Sequence, residues 1–381
     1  MLSRRKFLTV IGGASIAAAG GTWWAVTRDP RLARAPWGQA GQGEADPRRK
    51  ALSYAILAPN PHNRQPWLAD LSVANEITLF CDGNRRLPQT DPFDRQITIG
   101  LGAFLELLSQ AAAEDGWRTD IAPFPDGEPQ PQLDDRPVAR IRFIADPAVA
   151  RDPLFAQVLR RRTNRQPFDT SRPVALDKLR TIATAARSGT VAFTHEPAKV
   201  AALRARAWEA MHLEISTYET AKESIDLMRI GRAANEANPD GISITGPLLE
   251  GLSLAGIISR ETMLDPSSST FRQQVAYLKT SFDTATAFLW LVTPGNGRID
   301  QLQAGRNYVR LNLAATAQEV MMQPFSQALQ EFPVMRPHYV AMREALGVGA
   351  AETLQMFVRV GYGPAEKPSP RWPAATRIKP A

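Results

Sequence analysis

The chain has 381 residues, of which 44% are hydrophobic and 22% charged, a composition typical of a globular protein with one large domain or two smaller ones. The formal net charge is +7, but residues 1–35 hold six basic residues and one acidic residue, which leaves only +2 for residues 36–381. This distribution argues against a nucleic-acid partner, which needs a basic surface on the folded domain. The single cysteine, Cys81, excludes an internal disulfide and a cysteine-rich metal site, and its apolar surroundings favour a buried thiol.

Residues 1–35 have the pattern of an export signal. Residues 4–8 read Arg-Arg-Lys-Phe-Leu, and a mildly apolar run rich in alanine and glycine follows to residue 26. This matches a twin-arginine signal, and the run is less hydrophobic than a typical membrane-spanning helix. We expect export through the twin-arginine translocase to the periplasm or another extracytoplasmic space. A permanent membrane anchor stays the alternative if the signal is uncleaved.

After the signal, a Gly/Pro/Gln-rich linker is predicted at 36–46, and apolar periodicity and turn residues then predict the elements in chain order. Predicted helices cover 46–58, 97–114, 153–162, 174–186, 197–217 and 303–322. Predicted strands cover 76–81, 138–144, 190–194, 287–292 and 355–362. A long loop is predicted at 123–137, and 218–280 is predicted as a mostly helical insertion. Mixed helices and strands without a βαβ rhythm favour an α+β fold.

Several common catalytic motifs are absent from the sequence. It contains no Gly-x-Gly-x-x-Gly, no P-loop, no His-Glu-x-x-His and no Gly-x-Ser-x-Gly. The four histidines lie far apart along the chain, at positions 62, 195, 212 and 338. We therefore predict no metal site and no serine hydrolase triad.

Three polar segments remain as candidates for chemistry. Residues 58–67, Ala-Pro-Asn-Pro-His-Asn-Arg-Gln-Pro-Trp, offer amides held by prolines that could contact a planar heterocycle, or they form a helix-capping loop. Residues 160–168 carry four arginines within six positions, which could bind a phosphate or form a solvated basic helix end. Residues 361–372 deliver Arg371 in a proline-rich frame, unless this tail is disordered.

Together the three segments resemble the nitroreductase superfamily, and more closely its single-chain Acg branch. In that superfamily an Arg-x-Ser-x-(Arg/Lys)…Phe segment binds the FMN phosphate and ribityl chain. A Pro-Ser-x-x-Asn-x-Gln-Pro-Trp loop covers the flavin ring, and a C-terminal (Lys/Ser)-x-Arg reaches the phosphate. The resemblance spans roughly residues 47–372, and it departs from the pattern by Thr163 and Asn60 in serine positions and by the extra Pro167.

The resemblance implies a set of cofactor-binding residues and no catalytic side chain. An element at 322–327 also looks like a part of the Acg family that lies near the flavin. The implied FMN-binding residues are Pro59, Asn60, Pro61, Asn63, Gln65, Arg161, Thr163, Arg165, Gln323, Pro324, Ser369 and Arg371. The arginines would hold the phosphate, and the amides of the first segment would position the ring.

The order of the segments differs from that in an ordinary nitroreductase, where the arginine segment comes first. Here the ring-covering loop lies about a hundred residues before the arginine segment. The resemblance therefore implies a nitroreductase-like fold made of two unequal halves, 46–146 and 147–381, that form an internal pseudo-dimer. It also implies one FMN per chain, a lid at 218–280, and a monomer.

The implied function is that of an FMN-dependent oxidoreductase. Such a protein passes two electrons through FMN to a small-molecule acceptor such as a nitro compound or a quinone. Two alternatives stay open: an FMN-holding protein with little turnover, and an exported globular protein without a cofactor.

Overall fold

A computed structural model of the chain describes residues 29–380. Of the export signal predicted at 1–35, residues 1–28 lie outside the described residues. Within the described range, no helix is both long and apolar enough to cross a lipid bilayer.

The helices begin where the sequence supplies caps. Asp46 accepts a hydrogen bond of 2.9 Å from the backbone N–H of Arg48, and Pro47 takes the first helical position, so a helix starts there. The helices up to the middle of the described chain are α1 (Arg31–Gln39), α2 (Pro47–Ala55), α3 (Arg95–Glu114), α4 (Leu176–Ala183), α5 (Pro197–Ser216) and α6 (Tyr218–Asp226). The later ones are α7 (Gly231–Ala237), α8 (Pro247–Leu254), α9 (Arg260–Leu264), α10 (Ser269–Asp283), α11 (Arg298–Ala317) and α12 (Arg336–Leu346).

The strands form two four-stranded antiparallel sheets and one short parallel pair. The first sheet contains β1 (Trp67–Asp70), β2 (Glu76–Cys81), β3 (Trp117–Pro123) and β4 (Ala139–Ala145). The parallel pair is β6 (Met228–Ile230) with β7 (Ile242–Ile244). The second sheet contains β5 (Thr190–Thr194), β8 (Ala287–Thr293), β9 (Met321–Pro324) and β10 (Thr353–Gly361).

The two sheets have the same connectivity. Their strand orders are β1-β2-β4-β3 and β5-β8-β10-β9. In each sheet the second strand precedes a 20-residue helix, α3 or α11, and the strand after that helix lies at the far edge. A shorter helix, α2 or α4, precedes the first strand of each sheet. Residues 67–145 and 190–361 thus repeat one topology.

The long helices α3 and α11 pack against each other through two glycines. A Cβ atom on Gly102 would lie 2.0 Å from the Leu302 carbonyl oxygen, and one on Gly305 would lie 1.8 Å from the Ile99 carbonyl oxygen. Only glycine permits so close an approach of the two backbones. The contact is reciprocal: Gly102 of α3 faces Leu302, three residues before Gly305, and Gly305 of α11 faces Ile99, three residues before Gly102.

The second sheet carries the larger additions. Helices α5–α10 and the β6–β7 pair, residues 197–283, lie between β5 and β8, and we call this segment the insertion. Helix α12 lies between β9 and β10. One apolar cluster joins the first sheet to α2, α3 and α11, and two others lie around the second sheet.

The α+β prediction is confirmed, as are most predicted elements within a few residues. The linker predicted at 36–46 is wrong in its first part, because α1 covers 31–39 and buries Ala33 and Trp37. The helix predicted at 153–162 is only a 3-10 turn, Pro153–Gln157. The helix predicted at 303–322 ends at 317, and Met321 begins a strand that pairs with β10. Cys81 is free and buried, as predicted.

Candidate functional site

The C-terminal end of α2 leads into the first polar segment. Beyond the last turn, the carbonyls of Ile56, Leu57 and Ala58 point away from the helix, where carbonyl groups lack helical partners. In the following loop His62, Asn63 and Gln65 have φ of 46°, 53° and 52°. Left-handed backbone is uncommon for residues other than glycine, although Asn and His adopt it more readily than most, and three such residues in one short loop need surrounding contacts to hold them.

Arg371 of the C-terminal segment fixes the end of α2. Its Nε donates to the Ile56 carbonyl at 2.8 Å, and its Nη2 donates to the carbonyls of Leu57 at 3.2 Å and Ala58 at 3.0 Å. Its Nη1 donates to the Asn63 side-chain oxygen and, at 2.6 Å, to Ser369 Oγ. The third polar segment is therefore joined to the first, and the tail is ordered.

Arg161 of the second polar segment reaches the same helix end. Its Nη2 donates to the Leu57 carbonyl at 2.9 Å, and its Nη1 donates to Asn312 Oδ1 of α11 at 3.4 Å. Its Nε is buried and has no hydrogen-bond partner among residues 29–380. The interpretation of this segment as a solvated helix end is wrong, because no helix ends there and Arg161 is 2% exposed.

Three guanidinium groups, those of Arg161, Arg162 and Arg371, surround the indole of Trp37. Their Cζ atoms lie 5.7, 4.5 and 5.5 Å from the ring centroid. We call these residues the arginine cluster. Within residues 29–380, no carboxylate forms an ion pair with any of the three. Their hydrogen bonds go to neutral oxygen atoms, so their charge is not balanced.

The lowered pKa values of the three arginines show that burying their charges without a carboxylate partner is unfavourable. Burial lowers the pKa of Arg161 to about 10, since the opposing effect of Tyr308 is smaller and the charge of Arg162 lowers it further. Burial, followed by Arg161 and Arg162, lowers the pKa of Arg371 well below its usual value. Burial also lowers the pKa of Arg162. Buried charges are normally paired, and an anion would provide the missing partner.

The amides of the first segment bond to their surroundings. Asn60 Oδ1 accepts the backbone N–H of Gln65 at 2.7 Å, and Asn63 Nδ2 donates to the Pro370 carbonyl at 3.0 Å. Gln65 Oε1 accepts the backbone N–H of Trp372 at 2.9 Å. Pro59 and Pro61 flank Asn60 in the same loop. The amides thus tie the loop to itself and to the tail.

The remaining predicted site residues lie along β9 and the second polar segment. Thr163 forms a β-bridge with Met322, which precedes Gln323 and Pro324 on β9. Arg165 has an exposed side chain, and its charge helps to lower the pKa of His62. The structure therefore brings Arg161 and Arg371 to the same carbonyl of Leu57, and Arg371 also bonds to Ser369 and to Asn63 of the 59–65 loop. Thr163 bonds to β9, and Arg165 lies at the surface.

Arg359 of β10 holds the second polar segment against β9. Its Nε donates to Gln323 Oε1 at 2.8 Å, and its Nη2 donates to the Gln166 carbonyl at 2.7 Å. Its guanidinium lies 3.8 Å from the ring centroid of Phe168. Burial lowers the pKa of Arg359 to about 9. Arg359 lies within a predicted strand, and nothing in the local sequence indicated this role.

The insertion closes over the first polar segment. Gln65 Nε2 donates to the Pro239 carbonyl at 2.8 Å, and the backbone N–H of Gly241 donates to the Asn63 carbonyl at 3.2 Å. Between these two contacts Asp240, 5% exposed, accepts from Arg85 at 2.8 Å and from Arg229 at 2.9 Å. Asp240 therefore fastens the insertion to Arg85, whose guanidinium also donates to the Arg64 carbonyl of the loop at 2.9 Å.

Sequence reasoning also missed Trp37 and Arg162. Arg162 belongs to the arginine run, so the run itself was the available signal. Trp37 lies in a stretch whose composition predicts a linker, and its role depends on a contact with residues more than 120 positions away.

A second charged region lies on the other side of the long helices. Two adjoining cavities of about 450 and 300 Å³ share Asp152 and Arg187 in their lining. Glu106 of α3 accepts from Arg306 and from Arg310, each at 2.9 Å, and Asp152 pairs with Arg310 and, at 2.9 Å, with Arg187. We call these five residues the ion-pair groove. Across residues 29–380, no group of three His, Cys, Asp or Glu side chains could hold a metal ion.

Comparison with known proteins finds similarity to nitroreductases. Residues 158–362, more than half of the chain, match the nitroreductase family. A Mycobacterium tuberculosis protein provisionally named an NAD(P)H nitroreductase is 26% identical over 328 residues, which cover 84% of this chain and 86% of that protein. A second protein of that organism, provisionally named the NAD(P)H nitroreductase acg, is 30% identical over 120 residues, covering 32% of this chain and 35% of that protein.

A solved structure extends the comparison. The crystal structure of a nitroreductase with bound FMN from Bacteroides fragilis is 15% identical, with a TM-score of 0.30. It covers 56% of this chain and 89% of that one.

Proposed function

Because the chain belongs to the nitroreductase family, we propose that it is an FMN-dependent oxidoreductase whose arginine cluster holds the FMN phosphate. The observation that carries this proposal is the group of three guanidiniums around Trp37 with no carboxylate partner among residues 29–380. Arginine is the planar, bidentate partner of phosphate, and a phosphate dianion would balance most of the buried charge.

The donors of the cluster fit a phosphate. Arg161 Nε and Arg162 Nε are both buried, and neither has a hydrogen-bond partner among the described residues. A buried N–H group without an acceptor costs about 1–3 kcal/mol, so phosphate oxygens at these donors would recover that energy. Ser369 Oγ, which accepts from Arg371, offers a further hydroxyl beside them.

When bound, FMN supplies the chemistry by accepting a hydride and passing two electrons to an acceptor. The residues of this chain bind, orient and enclose it. The arginine cluster holds the phosphate, the fixed 59–65 loop defines one wall, and the insertion limits the access of water. The contact of Asn60, Asn63 and Gln65 with the ring stays a prediction, since their side chains bond within the protein. We assign no catalytic side chain.

We further propose that the chain is an internal pseudo-dimer with one FMN. Two sheets of identical connectivity and the reciprocal Gly102 and Gly305 contacts support the duplication. Arg187 lies in the loop after α4, which corresponds in the repeat to the loop after α2. The ion-pair groove would then be the counterpart of the flavin site, and its carboxylates already balance its arginines. Monomeric state and twin-arginine export stay predictions.

An absorption spectrum of the purified full chain tests the cofactor. We expect the absorption bands of an oxidised flavin in the purified protein, and we expect denaturation followed by filtration to separate the FMN from the chain. The Arg371→Ala variant should retain much less FMN, because a charged contact contributes about 1.5–3 kcal/mol. Arg160→Ala is the matched control, since Arg160 is exposed and, among residues 29–380, its guanidinium hydrogen-bonds only to Gln157. A colourless protein that cannot be reconstituted with FMN would contradict the proposal.

One observation favours the second candidate, an FMN-holding protein with little turnover. The insertion is fastened by the buried Asp240, which also lies 3.6 Å from Arg64. A closed insertion would restrict an acceptor from reaching the ring. Steady-state oxidation of NADH or NADPH with a nitroaromatic or a quinone distinguishes the two. Turnover in the wild-type chain supports the oxidoreductase. Turnover that appears only after Asp240→Asn supports the holding function.

A further inference from the structure

Helix α1 covers the arginine cluster and is joined to it at two points. Trp37 is 5% exposed, and its Nε1 donates to the Ser369 carbonyl at 2.8 Å. One turn earlier, the Ala33 carbonyl accepts the backbone N–H of Arg371 at 2.8 Å. The helix therefore contacts the segment that carries Ser369 and Arg371 through a side chain and through its backbone.

The interaction of Trp37 with the cluster has two opposing parts. Each guanidinium is attracted to the indole face, and this attraction strengthens where water is excluded. The three cations repel one another, and no carboxylate among residues 29–380 offsets that repulsion. The packing of α1 over the cluster is therefore weakened by charge, and a bound anion would relieve the repulsion without disturbing the indole contacts.

We propose that Trp37 is a specificity-determining residue, and that α1 closes the cluster around the terminal phosphate monoester of the cofactor. The inference rests on the proposed function and extends it, because it adds a wall to the site from outside the region that matches the family, 158–362. Its consequence is selection of FMN over riboflavin, which has the same ring and ribityl chain and lacks the phosphate.

Hydrogen exchange of the wild-type full chain tests the closure directly. We expect saturating FMN to slow amide exchange across residues 31–40 at least tenfold and to protect Arg31 and Arg34 from trypsin. Saturating riboflavin should leave both at the rates of the flavin-free chain, and millimolar inorganic phosphate should slow exchange partly. Equal protection by FMN and riboflavin, or none by bound FMN, overturns the inference.

Substitution of Trp37 provides the second measurement. Trp37→Ala should raise the Kd for FMN about tenfold and change the Kd for riboflavin less than twofold. Trp37→Phe should give an intermediate value, because it keeps an aromatic face and loses the N–H that reaches Ser369. Trp117→Phe is the control, since Trp117 lies on β3 and lines the cavity that also contains Glu106 and Arg306 of the ion-pair groove. If Trp37→Ala does not fold, Trp37→Phe and the exchange data decide.

These outcomes separate the inference from the function on which it rests. If the wild-type chain binds neither FMN nor riboflavin, the proposed function fails, and this inference fails with it. If it binds FMN in an Arg371-dependent manner, but FMN does not slow exchange across residues 31–40 and Trp37→Ala does not change the Kd for FMN, only the proposed role of α1 is wrong.

Discussion

The arginine cluster and the ion-pair groove each contain three arginines, yet they differ in what surrounds them. Glu106 and Asp152 balance most of the charge in the groove, at distances of 2.9 Å for several pairs. Arg161 and Arg371 have only neutral acceptors within residues 29–380. The number of arginines in a region thus says little about a ligand, whereas the absence of a protein counter-charge indicates one.

The pKa directions express the same difference. Burial tends to raise the pKa of Glu106, but Arg306, Gln110 and Arg310 together lower it. Burial likewise tends to lower the pKa of Arg310, but Asp152 and Glu106 raise it. In the arginine cluster burial acts unopposed by any carboxylate. The groove is stabilised by its own carboxylates, whereas under the proposed function a bound phosphate would stabilise the cluster.

The largest expected effect comes from unbalancing the groove. Glu106 is 1% exposed, and Glu106→Gln would leave Arg306 without its carboxylate and Arg310 with Asp152 alone. Removing one partner from a buried ion pair is strongly destabilising, so the free energy of unfolding should fall by about 3 kcal/mol. Urea unfolding measures this change. An unchanged midpoint would mean that the groove contributes no stability.

An intermediate effect is expected from removing charge in the cluster. Arg161→Gln should weaken FMN binding by about 1.5–3 kcal/mol while the flavin-free protein keeps its stability, because a buried unbalanced charge is lost. Arg187→Gln, in the groove, is the matched control and should leave the Kd for FMN unchanged. Fluorescence titration of FMN measures both. An equal loss of FMN affinity in the two variants would contradict the assignment of the phosphate site to the arginine cluster.

The smallest effect is expected from acid. Because the pKa of Glu106 is lower in the folded than in the unfolded chain, its contribution is complete above about pH 4.3 and is lost as pH falls through the folded pKa. The melting temperature of the wild type should therefore fall more steeply between pH 5 and pH 3 than that of Glu106→Gln. Parallel profiles for the two proteins would contradict this account.

Much of the site could be predicted from local sequence. The 59–65 loop and Arg161 stood out because prolines and amides, or four arginines in six positions, are concentrated there, and Arg371 stood out in a proline-rich segment. What could not be predicted was their packing. Arg162 and Trp37 meet across 125 positions of chain, and the helix predicted at 153–162 gives way to a turn that lets Arg161 reach the end of α2.

The sequence by itself determined the α+β class, the strands at 190–194 and 287–292, and the three segments that meet at the site, because periodicity and turn residues act over a few neighbouring positions. Only the tertiary structure decided which arginines received carboxylates. A charge finds its partner in space, and Asp152 reaches Arg310 while no carboxylate of the described chain pairs with Arg161. Counter-charge is a property of the folded arrangement, since it depends on contacts that no local pattern encodes.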